Sequence, residues 1–100
     1  MRIKVVGIHE VRSGSLLGLA DVMLDDVIVI RDWKILAKHR GGLLVRPPER
    51  KVWERGGKRY IPLVEVRDGF EDVISQAILE AWRKFLGKEE DDATGQLGRH

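Results

Sequence analysis

The sequence predicts an α+β protein in which an antiparallel β-sheet of about five strands is followed by one long C-terminal amphipathic helix, assembled as a dimer. In the first two thirds of the chain, short apolar segments are separated by Gly, Pro and Asp, which is typical of strands joined by turns. Over residues 70–86, apolar residues instead recur at three- and four-residue spacing, which is typical of a helix.

The composition predicts one soluble, cytoplasmic domain. The chain has 100 residues, of which 43% are hydrophobic and 34% charged, and no cysteine. That length allows one core without disulfide support, and the absence of cysteine agrees with a reducing compartment and excludes thiol chemistry. No apolar run is long enough to span a membrane. We therefore expect a single domain over residues 1–87, with no membrane partner.

The first three predicted strands cover residues 2–8, 16–24 and 27–36. Apolar and polar residues alternate in the first, and apolar residues lie on both faces of the second. Asp25 and Asp26 separate the second and third strands, and Asp side chains favour tight turns because they bond to nearby backbone amides. The second and third strands are therefore predicted to form a hairpin.

Two shorter strands are predicted after this hairpin. Residues 43–45 are apolar and end at a proline pair, which cannot donate to a sheet ladder. Residues 49–59 are strongly charged and are predicted to be a connection. Residues 60–66 form the fifth predicted strand, and Pro62 places it at a sheet edge or a bulge.

One helix is predicted from the residues that follow. Asp68 is expected to be its N-cap, with Glu71 completing a capping box, and Gly87 is expected to end it. Residues 88–100 are acidic and poor in apolar residues, so they are predicted to form a disordered tail.

The apolar stripe of this helix sweeps about 180°, more than one sheet needs. It either lies deep in the core of a monomer or contacts a second subunit, and we favour the second subunit. The predicted dimer interface combines this stripe with the β-branched start of the third strand, and consists of Val27, Val29, Ile78, Leu79, Trp82 and Leu86.

The net charge of +2 conceals a strongly basic middle segment. Residues 31–59 contain ten basic and three acidic side chains, a charge of +7, while the rest of the chain is mildly acidic. Concentrated cations bind phosphate backbones by displacing counterions, although a solvated loop can have the same composition. The charge distribution favours a nucleic-acid partner, DNA or RNA.

Aromatic residues lie among these cations. A guanidinium group binds phosphate in bidentate fashion, and an exposed aromatic ring can stack on an unpaired base. The alternatives are that Trp53 packs over a strand edge and that the cations only maintain solubility. Trp33 and Trp82 fit the apolar periodicity of the core. The predicted nucleic-acid-binding residues are Arg50, Lys51, Arg55, Lys58, Arg59 and Trp53, with Lys38 and Arg40 if the two loops lie together.

Catalysis has little support in this sequence. The three histidines lie far apart, none has metal-ligand spacing, and neither Gly-Gly pair belongs to a phosphate-binding fingerprint. We therefore expect no enzymatic activity, no metal, no cofactor and no small-molecule substrate. The alternative function is a protein-interaction adaptor that uses sheet edges and the acidic tail without binding nucleic acid directly.

Four segments in order resemble one protein family. Residues 19–36 are similar to the signature A-x-V/I-x-L-D-x-x-F-V-V-x-D-I/L-R/K-V-I, residues 42–45 to G-L-F-V, residues 48–51 to P-S-R/K-R/K, and residues 74–82 to I-x-x-A-V-L-x-x-Y. This is the SpoVG family, the stage V sporulation protein G or septation-regulator group, and the resemblance spans about residues 3–86.

The resemblance implies a small dimeric α+β fold and a regulator that binds DNA and RNA in septation and sporulation control. It also implies that the basic pair after the proline, Arg50 and Lys51, matters for nucleic-acid binding. Glu49 stands where the family has Ser, which places a negative charge beside that pair.

Overall fold

The computed structural model describes the backbone of residues 1–98 and the side chains of residues 1–88. The first four strands form an antiparallel sheet in the order β1-β2-β3-β4, and the last two form a separate hairpin. The α+β class is confirmed, although the described residues form six strands in two sheets rather than about five in one. The elements are β1 (Ile3–Ser13), β2 (Leu16–Leu24), β3 (Ile28–Ala37), β4 (Leu43–Arg46), β5 (Glu49–Glu54), β6 (Gly57–Pro62) and α1 (Phe70–Gly98).

The predicted hairpin of the second and third strands is confirmed. Asp25 and Asp26 have φ angles of 52° and 57°, and the Val27 N–H donates to the Leu24 carbonyl at 3.0 Å. Two central residues with positive φ define a type I′ turn, whose twist matches that of the strands it joins. The turn reverses the chain between β2 and β3, and the pairing beyond it places Leu24 opposite Ile28.

The core lies between one face of the four-stranded sheet and α1. Gly18 on β2 makes room for Trp82, because a Cβ at this position would lie 2.7 Å from the indole and 2.8 Å from the His9 carbonyl oxygen. The other sheet face, which contains Leu19 and Met23, points away from α1. The buried apolar residues are Ala20, Val22, Trp33, Ile35, Val45, Ile74, Ile78 and Trp82.

Residues 49–59, predicted to be a connection, instead belong to the β5–β6 hairpin. The N–H of Leu63 donates to the Pro48 carbonyl at 2.8 Å and closes the base of this hairpin. The predicted strand 60–66 is wrong in its second half, because β6 ends at Pro62 and no strand follows before α1. Charge masks the alternation of β5 and β6, since both faces of the hairpin contain cations.

Both predicted helix boundaries need correction. Asp68 has a φ of 59° and lies in a turn, so Gly69 rather than Asp68 directly precedes the first helical residue. Gly87 does not end the helix, which continues to Gly98. A glycine inside a helix costs about 1 kcal/mol relative to Ala, which the surrounding helix formers can offset.

The segment predicted to be a disordered tail, residues 88–100, is therefore helical over 88–98, and residues 99–100 lie outside the described residues. Across the part of the chain that the structure describes, no helix is long and apolar enough to cross a membrane. The single-domain boundary at residue 87 and the cytoplasmic location stay predictions.

Candidate nucleic-acid interface

The β5–β6 hairpin sorts the basic segment onto two faces. Lys51 lies opposite Tyr60, and Trp53 lies opposite Lys58. Directly opposed residues share a face, and residues two apart on one strand also share it. Lys51, Trp53, Lys58 and Tyr60 therefore form one surface, which we call the aromatic-basic face.

The opposite face of the hairpin contains Arg50, with Ile61 as its cross-strand partner. Arg50 and Lys51 are neighbours in sequence, so strand alternation directs them to opposite sides. On the Arg50 side, Arg59 donates to the Glu54 carboxylate at 2.6 Å. The basic pair implied by the family resemblance is thus divided between two surfaces.

The aromatic rings of the hairpin are exposed rather than packed. Trp53 is 73% exposed and Tyr60 46% exposed. The Lys51 ammonium lies 5.5 Å from the centroid of the Trp53 ring, and the Lys34 ammonium lies 5.0 Å from that of Tyr60. Cation–π attraction of this kind holds each ring while leaving much of it open to solvent. The alternative in which Trp53 packs over a strand edge does not describe this structure.

Glu49 anchors the hairpin to the sheet. Its buried carboxylate accepts a hydrogen bond from the Lys34 ammonium at 3.2 Å and lies 4.0 Å from the Arg46 guanidinium. The charge expected beside Arg50 and Lys51 is therefore neutralised by two cations of β3 and β4.

A cleft of about 390 Å³ continues from the aromatic-basic face onto the main sheet. Its two sheet cations, Lys34 and Arg46, are not among the predicted site residues, because their position in this cleft depends on long-range pairing. A signal was present, since Lys34 is a lone cation in the apolar part of β3. The cleft is lined by Ser15, Lys34, Leu36, Arg46, Glu49 and Tyr60.

Most hairpin cations are free to bind an anion. Among the described residues, Arg50, Lys51, Arg55 and Lys58 form no ion pair with a carboxylate, whereas Arg59 pairs with Glu54. Free cations can neutralise phosphates without first breaking an internal contact.

Lys38 and Arg40 lie in the exposed loop between β3 and β4. Within the described residues, no hydrogen bond or ion pair joins this loop to the hairpin. The expected supporting role of these two residues stays a prediction.

Asp21 forms a second charged cluster on the sheet face that points away from α1. Its buried carboxylate accepts hydrogen bonds from Arg31 at 3.0 Å and from the Asp32 N–H at 3.3 Å, and lies 3.1 Å from His9 Nε2. Burial acts to raise the pKa of Asp21, but the His9 and Asp32 contacts and the nearby Arg31 charge outweigh it, so the pKa lies below its ordinary value. Arg31, counted in the basic segment, is therefore already paired.

The predicted dimer interface is only partly available. Ile78 and Trp82 are fully buried in the core of the chain itself, so their assignment to a subunit interface is wrong. Leu79 and Leu86 also pack against this core. The wide helix stripe is thus accounted for, at least over these residues, by packing within one chain. Val27, at 82% exposed, and Val29 remain accessible.

Comparison with known proteins identifies one family. A family model described as SpoVG matches residues 1–84, which include all six strands and the first half of α1. Comparisons with curated proteins and with solved structures give no match.

Proposed function

Because the chain belongs to the SpoVG family, we propose that it is a nucleic-acid-binding regulatory protein, acting in the septation or sporulation control that the family resemblance implies. The observation that supports this proposal most is the aromatic-basic face. Trp53 and Tyr60 are exposed there between Lys51 and Lys58, which form no ion pair among the described residues. Cations that only maintain solubility do not require exposed aromatic rings beside them, whereas a surface that binds nucleic acid uses both rings and cations.

In this proposal the cations of the hairpin contact phosphates. Lys51 and Lys58 do so from the aromatic-basic face, while Arg50 reaches a phosphate from the opposite face and Arg55 from the tip. The two cleft cations that contact Glu49, Lys34 and Arg46, extend the positive surface toward the sheet. No helix inserts into a groove here, since α1 packs on the other side of the sheet.

Replacing Arg50 and Lys51 together with Ala is expected to weaken nucleic-acid binding and flatten its salt dependence. Each lost phosphate contact reduces the slope of log affinity against log salt by about 0.7–0.9. The pair should therefore lower the slope by about 1.5 if both contact phosphate, and by about half of that if only one face of the hairpin is used. Fluorescence anisotropy with labelled oligonucleotides across a salt series measures this.

The matched control is the double variant Arg83→Ala and Lys84→Ala, which removes the same charge from exposed positions on α1. This control should leave the slope within experimental error of the wild type. Equal effects of the two double variants would mean that net charge, rather than the hairpin, governs binding, and would contradict the proposal.

We also propose that two copies associate through the exposed apolar end of the sheet. Val27, Ile28 and Val29 are exposed at the β2–β3 turn, and Met1 is exposed nearby at the start of the chain. Contiguous exposed apolar residues of this kind are typical of interaction surfaces. A dimer would present the aromatic-basic face twice, which raises affinity for a long nucleic acid through multivalency.

Sedimentation velocity at micromolar concentration is expected to show a dimer for the wild type and a monomer for Val27→Lys combined with Val29→Lys. Burying two unpaired charges costs more than a modest interface can supply. Val73→Lys, at an exposed position on α1, is the control and should remain dimeric. A wild-type monomer at these concentrations, or dissociation by the Val73 control as well, would contradict this assignment.

A further inference from the structure

We infer that the aromatic-basic face recognises unpaired bases, so that the ligand class is single-stranded nucleic acid rather than duplex. This inference rests on the proposed function, because it specifies which form of nucleic acid the same surface binds. It depends on the placement of Trp53 and Tyr60 rather than on the net charge of the hairpin.

The two rings are diagonal neighbours on one face of the hairpin. Trp53 lies opposite Lys58, and Tyr60 is two residues beyond Lys58 on the same strand. Diagonal positions of an antiparallel pair are about 7–8 Å apart. That separation is about twice the 3.4 Å step between stacked bases. Two successive bases can each stack on one ring only when they are separated from each other, as in an extended single strand.

The lysines prepare the rings for stacking. Lys51 lies over one face of the Trp53 ring at 5.5 Å, so the large exposed area of this ring belongs mainly to its other face and its edge. Lys34 restrains Tyr60 in the same way at 5.0 Å. A ring already held in place loses less conformational entropy when a base stacks on it. In this arrangement the same ammonium groups are available to neutralise the phosphates that join the stacked nucleotides.

The cleft extends the surface available to a bound strand from the hairpin onto the main sheet. Tyr60 lines both the aromatic-basic face and the cleft, and Lys34 and Arg46 lie at the cleft's sheet side. A strand that stacks on Trp53 and then on Tyr60 therefore continues toward two further cations, whose charge Glu49 neutralises only in part. In a duplex the base faces are stacked on one another and only the base edges are accessible in the grooves. A duplex could therefore contact the cations but not stack on the aromatic rings.

Trp53→Ala tests this inference with oligo(dT), oligo(U) and a duplex of equal length as probes. Losing one stacked base should weaken binding of both single strands about 5- to 150-fold, with the salt slope unchanged because no charge is removed. Duplex affinity should stay the same, and Trp53→Phe should restore most of the single-strand affinity. Lys58→Ala is the matched control, and it should weaken all three probes and lower the salt slope.

Tryptophan fluorescence provides a readout that does not depend on affinity. Trp33 and Trp82 are buried, so Trp53 is the indole that a base can reach. Saturating oligo(dT) should quench part of the wild-type emission and leave the emission of Trp53→Phe unchanged.

Three outcomes overturn the inference while leaving salt-dependent binding, and hence the proposed function, intact. These are equal weakening of duplex and single strand by Trp53→Ala, no weakening of either, and no quenching at saturation. Failure of the wild type to bind any of the three probes at low salt would overturn the proposed function itself.

Discussion

Trp82→Ala is expected to lower the free energy of unfolding by about 3–5 kcal/mol, a large part of the stability of a domain this size. Trp82 is 1% exposed and lies directly over Gly18 of β2. Its ring stacks on Phe85 with 5.7 Å between centroids, and the Arg12 guanidinium lies 5.9 Å from it. Removing the indole leaves a cavity under the sheet that neighbouring backbone cannot fill. Urea denaturation monitored by circular dichroism measures this decrease in the free energy of unfolding.

The control for Trp82 is Val73→Ala, at an exposed position of the same helix. Its effect should stay within about 1 kcal/mol, because little apolar area is removed from the core. Gly18→Ala alters the same contact from the sheet side and should also destabilise the folded protein. The new Cβ would clash with both the Trp82 indole and the His9 carbonyl oxygen. Similar losses for Trp82→Ala and Val73→Ala would show that the helix does not pack on the sheet in this way.

Asp21→Asn is expected to destabilise the protein by about 1–3 kcal/mol at neutral pH, the usual cost of losing hydrogen bonds to a buried charged group. The carboxylate accepts from Arg31 and from the Asp32 N–H, and contacts His9. An amide in its place presents one acceptor oxygen where the carboxylate has two. Gly7 belongs to this arrangement, because a Cβ there would lie 2.8 Å from the Asp21 oxygen.

The effect of Asp21→Asn should depend on pH in a defined direction. The pKa of Asp21 is lower in the folded protein than its ordinary value, so the carboxylate stabilises the fold above the unfolded-state pKa of about 4. That contribution is lost as the pH falls through the folded-state pKa, where the carboxyl becomes protonated. The stability difference between wild type and Asp21→Asn should therefore be full at pH 6–7 and shrink from about pH 4 downward.

Asp26→Asn is a suitable control for the Asp21 series. Asp26 is exposed in the β2–β3 turn, and its ion pair is with the exposed Arg2. Exposed pairs contribute about 0–1 kcal/mol, so this variant should show a small difference from the wild type. An Asp21→Asn difference that stays constant from pH 7 to pH 2 would contradict a stabilising carboxylate at that position.

The glutamate beside the basic pair shows how tertiary contacts alter the meaning of a residue. From the sequence, Glu49 reduces the positive charge next to Arg50 and Lys51. In the folded chain its buried carboxylate is held by Lys34 and Arg46 and fixes the base of the hairpin. Glu49 thus supports the position of the aromatic-basic face.

Sequence patterns alone predicted the features that depend on residues near one another in the chain. The Asp25–Asp26 turn follows from local backbone preferences, and the helix follows from a period that its own residues define. The concentration of positive charge in the middle segment, and the family resemblance, are also properties of the linear chain. These predictions succeeded because turn chemistry and hydrophobic period act over a few residues.

Only the tertiary structure decided which partner each face meets. It buried Ile78 and Trp82 in the chain's own core rather than at a subunit interface, and it directed Arg50 and Lys51 to opposite sides of a hairpin. It also brought Lys34 beside Tyr60. Strand pairing determines these outcomes, since a register shift of one residue exchanges the two faces of a strand. The amino-acid sequence therefore specified a basic, aromatic segment, and the pairing of β5 with β6 placed Trp53 and Tyr60 together on one side of it.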